Sequence, residues 1–227
     1  MLWTFYCSHG MGLPDSQWTT KPAGMLMQEA AVLLSFGGAV QLYESGLRDG
    51  RLVPWRMRRW GEVGRFIQRR RALCQGSETI PQIAVLHSET HLRRTARTRN
   101  LMRGTDLEPV AGALYALLEN HFGVDVLDEW ALLPRLAEFP AVFVPERHAL
   151  SEEMVRALKA YVRGGGRLIV TGAESFERFG GAFLGVSAGK IERDAVYHVP
   201  AGNGSTTLFS KTWRLVKPRA ARALGWL

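Results

Sequence analysis

The stretch PAVFVPERHALSEEMVRALKAYVRGGGRLIVTG, residues 140–172, decides the fold. It contains two short apolar runs, 141–144 and 167–170, and we expect both to be strands that are buried on both faces. Between them Ser151 offers an N-cap hydroxyl, and apolar residues recur at helical spacing as far as Gly164. Strand, helix and strand form a βαβ unit, whose right-handed crossover makes the two strands parallel.

The same alternation continues upstream and predicts a flavodoxin-like parallel sheet with helices on both faces. The further elements are strands at 82–87 and 124–127 and helices at 108–122 and 129–137. The basic segment 88–106 has no periodicity, so we expect an exposed loop there. An α/β domain with four parallel strands is therefore predicted between Gln82 and Gly172.

The N-terminal residues show an earlier strand–helix–strand–helix pattern, which is typical of the last units of a β/α barrel. The predicted elements are a strand at 2–8, a helix after Pro22, a strand at 39–43 and a helix at 55–72. At the other end, 190–199 is predicted to be a strand, 201–205 a turn, and 206–210 a segment that pairs back. The sequence thus predicts a barrel remnant at 1–75, a flavodoxin-like domain at 76–187 and a short β tail at 188–227. Residues 173–187 are expected to link the last two.

Composition excludes several classes of protein. The chain of 227 residues is 46% hydrophobic, and none of its apolar runs approaches the roughly 20 residues of a membrane helix. Its first residues lack the basic region and apolar core of a signal peptide. Two cysteines are too few for a disulfide framework or a closed zinc site, which predicts a reducing compartment, the cytoplasm.

The chain is basic, with a net charge of +8 from 24 arginines and 5 lysines against 21 acidic residues. The densest cluster, 56–71, lies on the amphipathic helix, where charge on a solvated face is the ordinary interpretation. Nucleic acid is disfavoured as a partner because no recognised binding module accompanies the charge. The alternative kept open is a non-enzymatic module whose helix 55–71 and loop 91–103 bind an acidic partner, either nucleic acid or an anionic polysaccharide.

Several motifs occur in an order that resembles one family of enzymes. Trp18 before a helix, GGAVQLYESGLRDGRL at 37–52 and WGEV at 60–63 resemble the end of the catalytic barrel in α-L-fucosidase-like glycoside hydrolases. Residues 81–88 and 117–130 resemble the class I amidotransferase-like domain that follows the barrel in some fucosidases and in trimeric β-galactosidases. The resemblance implies a carbohydrate substrate and a homo-oligomer, since this domain often lies at subunit contacts.

The departures from that family limit the prediction of activity. Retaining glycosidases need two carboxyl groups across the scissile bond, and the nucleophile strand lies upstream of anything present here. About two of eight strands cannot close a barrel. We therefore expect a C-terminal fragment of a glycosidase whose upstream sequence is missing, and whether the chain is itself an enzyme stays open.

Candidate sugar contacts follow the predicted barrel strands, because barrel sites lie at the carboxyl ends of strands. Trp18 is the best platform for a pyranose ring, although a buried tryptophan is an equally good interpretation. The other candidates are His9, Tyr43 and Glu44, and a solvated loop acid is the simpler interpretation of Glu44. Lys21, beside Pro22, is expected to be structural.

The predicted flavodoxin-like domain lacks the residues of amidotransferase chemistry. That chemistry needs a thiolate on a tight strand-to-helix turn and a histidine oriented by a carboxylate. Neither Cys7 nor Cys74 fits, and the strand-end turns at 87–88, 145–146 and 171–172 show no nucleophile elbow. We expect an inactive domain, while an active amidotransferase-like hydrolase is the third hypothesis.

Two smaller features complete the prediction for this domain. His87, Glu146 and His148 follow strands, so they are expected on one rim of the sheet, where a His–Glu pair could bind a ligand, although polar groups at strand ends are usually only loop contacts. The glycines at 164–166 follow a helix and precede a strand, which is a C-cap and not a dinucleotide fingerprint. No cofactor and no metal are predicted.

Overall fold

The computed structural model describes residues 5–7, 21–43, 49–96, 107–201 and 204–223. The chain forms two compact units, Met1–Thr79 and Ile80–Leu227. In the described ranges no helix combines the length and the apolar character that a bilayer crossing requires.

The first unit contains two strands and two helices. The parallel strands β1 (Phe5–Cys7) and β2 (Gln41–Tyr43) pair with Phe5 opposite Gln41. The helices are α1 (Ala23–Ser35), which begins directly after Pro22, and α2 (Pro54–Cys74), whose first residue is a proline. Leu26, Trp60 and Val63 form the buried core between the helices. The predicted strand–helix–strand–helix order is confirmed.

The second unit is built on a four-stranded parallel sheet. Its strands are β3 (Ile83–Leu86), β4 (Val124–Leu127), β5 (Ala141–Pro145) and β6 (Arg167–Thr171). Their order in the sheet is β4-β3-β5-β6, and every pair is parallel. β4 lies on one side of β3, whereas β5 and β6 lie on the other side, so the direction of the connections reverses between β3 and β5. This is the flavodoxin-like order that the sequence predicts.

Helices cover both faces of this sheet. They are α3 (Glu89–Thr95), α4 (Glu108–Glu119), α5 (Glu129–Leu132) with a 3₁₀ turn (Leu133–Glu138), α6 (Glu152–Arg163), α7 (Ala173–Phe179) and α8 (Gly181–Leu184). Helix α6 buries Met154 and Leu158 in the larger core, and α4 buries Val110 and Ala113 against the other face. The Ser151 hydroxyl accepts a hydrogen bond from the Met154 N–H, as an N-cap should.

Three local predictions are wrong. The start of the expected loop 88–106 is helix α3, which is a single short element with too few turns to show periodicity, and it buries His91 and Leu92. The expected linker 173–187 is largely the helices α7 and α8, and Phe179 is buried in the core. Strand β6 is an edge strand that alternates exposed and half-buried residues, so only one of its faces is covered.

The chain continues into a long antiparallel hairpin, β7 (Val186–Ala201) and β8 (Gly204–Pro218). The predicted strand and its return pairing are confirmed, but both strands are longer than expected. At the base, the Gly185 carbonyl accepts the N–H groups of Arg219, Ala220 and Ala221, which closes the hairpin on the end of α8. Along its length, the rings of Tyr197 and Trp213 meet edge to face at 5.0 Å.

Candidate functional site

The carboxyl ends of β3, β5 and β6 hold a concentration of strained backbone. Ser88 and Glu146 have φ values of 58° and 52°, which are unusual for residues other than glycine, and Gly172 has a φ of 96°. All three follow parallel strands at the same edge of the sheet. Because the connections reverse between β3 and β5, this edge is where doubly wound proteins bind ligands, and it is the candidate site of the second unit.

Ser88 lies at a strand-to-helix turn, but its hydroxyl is fully engaged. Its Oγ donates to Glu129 Oε1 at 2.8 Å and accepts the backbone N–H of His91 at 3.0 Å. Thr90 Oγ1 donates to the other carboxylate oxygen of Glu129 at 2.7 Å. Ser88 is completely buried. A nucleophile needs an exposed oxygen and a base to take its proton, so Ser88 is a helix cap and an anchor for Glu129.

Asp128 binds the same turn from β4. Its side chain accepts the N–H groups of Glu89 and Glu129, and it caps α5 through the second of these bonds. The two carboxylates after β4 therefore hold the start of α3 in place. They are used for structure and are not placed as a general acid and base.

Two histidines from different elements pack together beside this turn. His91 Nδ1 accepts the backbone N–H of Ala149 at 3.3 Å, and its ring lies edge-on to His148 with the ring centroids 4.8 Å apart. Burial, followed by the charges of Arg147 and His148, lowers the pKa of His91 to about 4. His91 is therefore neutral at pH 7, and its acceptor bond places the proton on Nε2.

The charge of Arg147 also acts on a second histidine, His87. Burial lowers the pKa of His87, and the Arg147 guanidinium lowers it further, while Asp128 and Glu89 act in the opposite direction. Arg147 itself is completely buried. The site thus holds the neutral imidazole of His91 near a buried guanidinium cation.

The rim of the site has the polar side chains that the sequence predicts. His87 and His148 follow neighbouring strands β3 and β5, and Glu146 is exposed beside them. The Glu146 N–H donates to the Thr171 carbonyl at 3.2 Å, which ties the turn after β5 to the end of β6. A β-carbon on Gly172 would come within 2.9 Å of Glu146 Cγ, so this position requires glycine.

The structure describes only some of the residues that were predicted in the first unit. His9, Trp18 and Glu44 lie outside the described residues. Tyr43 ends β2, in register with Cys7 of β1, and its side chain is not described. Lys21 Nζ forms an ion pair with Glu29 at 2.7 Å, which agrees with a structural role.

Two other sequence features lie where the sequence places them. Cys74 is a free thiol at the end of α2. The three glycines at 164–166 end α6 and lead into β6, as a C-cap does. Among the described residues, no group of three or more histidine, cysteine, aspartate or glutamate side chains could hold a metal ion.

Sequence reasoning missed the buried interactions of Ser88, His91 and Glu129. The available signal was a serine at the end of a strand followed by an acidic residue, Glu89, which is typical of a helix start. The pairing of Ser88 with Glu129 spans 41 residues and had no sequence signal of its own.

No protein-family model matches this chain, and no curated protein matches it. Solved structures do. An α-L-fucosidase isoenzyme 2 from Paenibacillus thiaminolyticus matches 97% of this chain with a TM-score of 0.72 and 16% identity. A catalytic mutant of a GH42 β-galactosidase from G. stearothermophilus matches 91% of it with a TM-score of 0.67 and 15% identity. A β-galactosidase from the Antarctic haloarchaeon Halorubrum lacusprofundi matches 96% of it with a TM-score of 0.65 and 18% identity.

The chain spans only about a third of those proteins, 34%, 34% and 36% of their lengths respectively. At such low identity the likeness concerns the fold. The chain has a glycoside hydrolase-like fold, and the resemblance predicted from the sequence is confirmed at that level.

Proposed function

We propose that this chain is the C-terminal part of a glycoside hydrolase of the α-L-fucosidase-like kind. In this proposal its parallel-sheet domain is a catalytically silent, amidotransferase-like domain for assembly or for completion of the substrate pocket. The observation that carries the proposal is the match of 97% of the chain to a fucosidase of which it spans only a third. The division into a barrel remnant at 1–75, a silent domain at 76–187 and a β tail at 188–227 belongs to the same proposal.

The silence of the second domain is supported by its chemistry. Ser88 has the strained backbone of a nucleophile, but its oxygen is buried and bonded to Glu129. His91 uses Nδ1 to accept a backbone N–H and carries no charge at neutral pH. Cys74 lies in the other unit, at the end of α2. Neither Ser88 nor Cys74 therefore combines an exposed nucleophile with a base that would activate it.

The sugar contacts are proposed for the first unit. Strands β1 and β2 are parallel, so their carboxyl ends lie at one edge, which is the edge where barrel enzymes hold their substrates. In the proposal His9, Trp18, Tyr43 and Glu44 contribute to one side of a pocket whose two catalytic carboxyl groups come from upstream strands. Two strands cannot close a barrel, so this chain alone supplies no turnover.

The experiment measures hydrolysis and sugar binding by the purified chain. With 4-nitrophenyl α-L-fucoside and 4-nitrophenyl β-galactoside we expect no release of nitrophenol above the enzyme-free rate. Saturation-transfer NMR should detect weak binding of L-fucose or D-galactose. Trp18→Ala should abolish that signal and Trp55→Ala, a control on the exposed part of α2, should leave it. Turnover at the rate of an intact glycosidase would overturn the fragment proposal, and binding that survives Trp18→Ala would overturn the proposed pocket.

The assembly role is proposed to act in a cytoplasmic homo-oligomer. Sedimentation analysis of the chain at high concentration should show a species larger than the monomer. A monomer throughout the concentration range would contradict the assembly role and leave pocket completion as the remaining one.

A further inference from the structure

A groove of about 670 Å³ lies along α2. It is lined by Pro54, Met57, Arg58, Gly61, Glu62 and Arg65. Its volume is in the range of sites that bind small molecules. The structure therefore adds a concave surface to a helix for which the sequence predicted only a basic, amphipathic character.

The charges in the groove have no partner within the described part of the chain. Arg58 and Arg65 make no hydrogen bond or ion pair there, and neither does Arg69 one turn further along. Other arginines of the helix are engaged: Arg70 lies 3.6 Å from the ring centroid of Phe66 and Arg71 bonds Gln75. Three exposed cations are thus aligned on one face.

Their spacing follows from helix geometry. Seven residues at about 1.5 Å each place Arg58 and Arg65 about 10 Å apart along the axis, on nearly the same face. Gly61 lies between them, and Arg65 Nη1 is 3.5 Å from the position that a β-carbon at Gly61 would take. The glycine leaves the space between the two guanidinium groups open, and Arg65 points into it.

Glu62 decides which anion fits. This exposed carboxylate lies in the same groove, between the two arginines along the helix. It repels any polyanion, but it also accepts hydrogen bonds from hydroxyl groups, which a saccharide offers and a DNA strand does not offer along its length. An acidic saccharide has both features, because its carboxylates bind the guanidinium groups and its hydroxyls donate to Glu62.

We propose that the α2 groove binds an acidic saccharide of the uronate class. Arg58 and Arg65 bind carboxylates of successive sugars, Glu62 accepts a hydroxyl, and the apolar floor of Pro54 and Met57 supports a sugar ring. This site is independent of the proposed hydrolase pocket, since none of its residues belongs to the strand ends of the first unit.

The test uses a galacturonate tetrasaccharide, a neutral galactose tetrasaccharide and a thymidine octanucleotide, with binding to the full chain measured by calorimetry. We expect the galacturonate to bind and the neutral sugar not to bind. Arg58→Gln/Arg65→Gln should weaken galacturonate binding by about tenfold or more, because each charged hydrogen bond is a strong one. The control Arg70→Gln/Arg71→Gln removes the same charge from another face and should change the affinity by less than about threefold.

Two further variants separate saccharide from nucleic acid. Glu62→Leu removes the hydroxyl acceptor together with the negative charge, so it should raise the affinity for the octanucleotide relative to the affinity for galacturonate. Gly61→Leu fills the groove without changing the charge and should abolish galacturonate binding only. Unchanged melting temperatures confirm that these surface variants fold. Tighter binding of the octanucleotide than of galacturonate, or equal losses in both arginine double variants, would overturn the proposal.

Discussion

His91 should make the protein sensitive to acid, and His91→Asn should remove that sensitivity. The imidazole is 4% exposed, and its pKa is about 4 in the folded chain against an ordinary value of 6.5. The unfolded chain therefore binds a proton between these two values that the folded chain does not bind. The free energy of unfolding consequently falls as the pH falls from above 6.5 toward 4.

The magnitude follows from the two pKa values. The full gap between 6.5 and 4 is worth about 3 kcal/mol, and about 2 kcal/mol of this is lost by pH 5. Asparagine cannot be protonated in this range, and its Oδ1 can accept the Ala149 N–H in place of Nδ1. Arg147 and His148 remain beside position 91, so the substitution removes only the titrating group.

The assay is urea unfolding followed by circular dichroism at pH 7 and pH 5. Between these pH values, wild type should lose about 2 kcal/mol more free energy of unfolding than His91→Asn. His121→Asn is the matched control, because His121 is exposed and has a positive φ of 63°, which asparagine tolerates. It should follow wild type. Equal losses in wild type and in His91→Asn would refute the assignment of a neutral, buried His91.

Two predictions concern packing. Gly172→Ala should lower the free energy of unfolding by about 2 to 3 kcal/mol, because the added β-carbon meets Glu146 and the φ of 96° is unfavourable for alanine. The control Gly165→Ala has a similar φ of 97° but open space around it, so it should lower the free energy of unfolding by about 1 kcal/mol. Equal losses in the two variants would contradict the predicted clash. Leu158→Ala, at a fully buried site on α6, should lower the free energy of unfolding in urea by about 3 kcal/mol. The control Leu118→Ala, at a half-exposed site on α4, should lower it by less than about 1 kcal/mol. A larger loss for Leu118→Ala than for Leu158→Ala would show that α6 does not hold the core.

The parallel sheet of the second unit was predictable because its signals are local. The run at 141–144 is apolar without interruption, and the helix after Ser151 has both a cap and a regular apolar face. Each signal needs only neighbours within a few residues along the chain. For the same reason the return pairing at 206–210 could be predicted, although the predicted turn at 201–205 is too long: the strands stay paired as far as Ala201 and Gly204.

The edge of the sheet was predictable only in part. That His87 and His148 lie on one rim follows from the rule that parallel strands end at the same edge. Helix α3 was missed because seven residues show no periodicity, and their stability comes from Asp128 and Glu129, which lie about 40 residues away. The exposed face of β6 was also missed, because edge position is a property of the whole sheet.

The sequence by itself determined the fold class, the order of the elements and the resemblance to glycosidases. Local patterns of apolar residues, caps and turns are sufficient for these, because each pattern restricts the chain independently of the rest. Only the tertiary structure decided the state of the candidate groups. Whether a serine is a nucleophile or a cap, and whether a histidine is charged, depends on the burial and partners that distant segments bring to it. Ser88 and His91 therefore have structural roles in this protein, because their burial and their partners, and not their residue types, decide what they do.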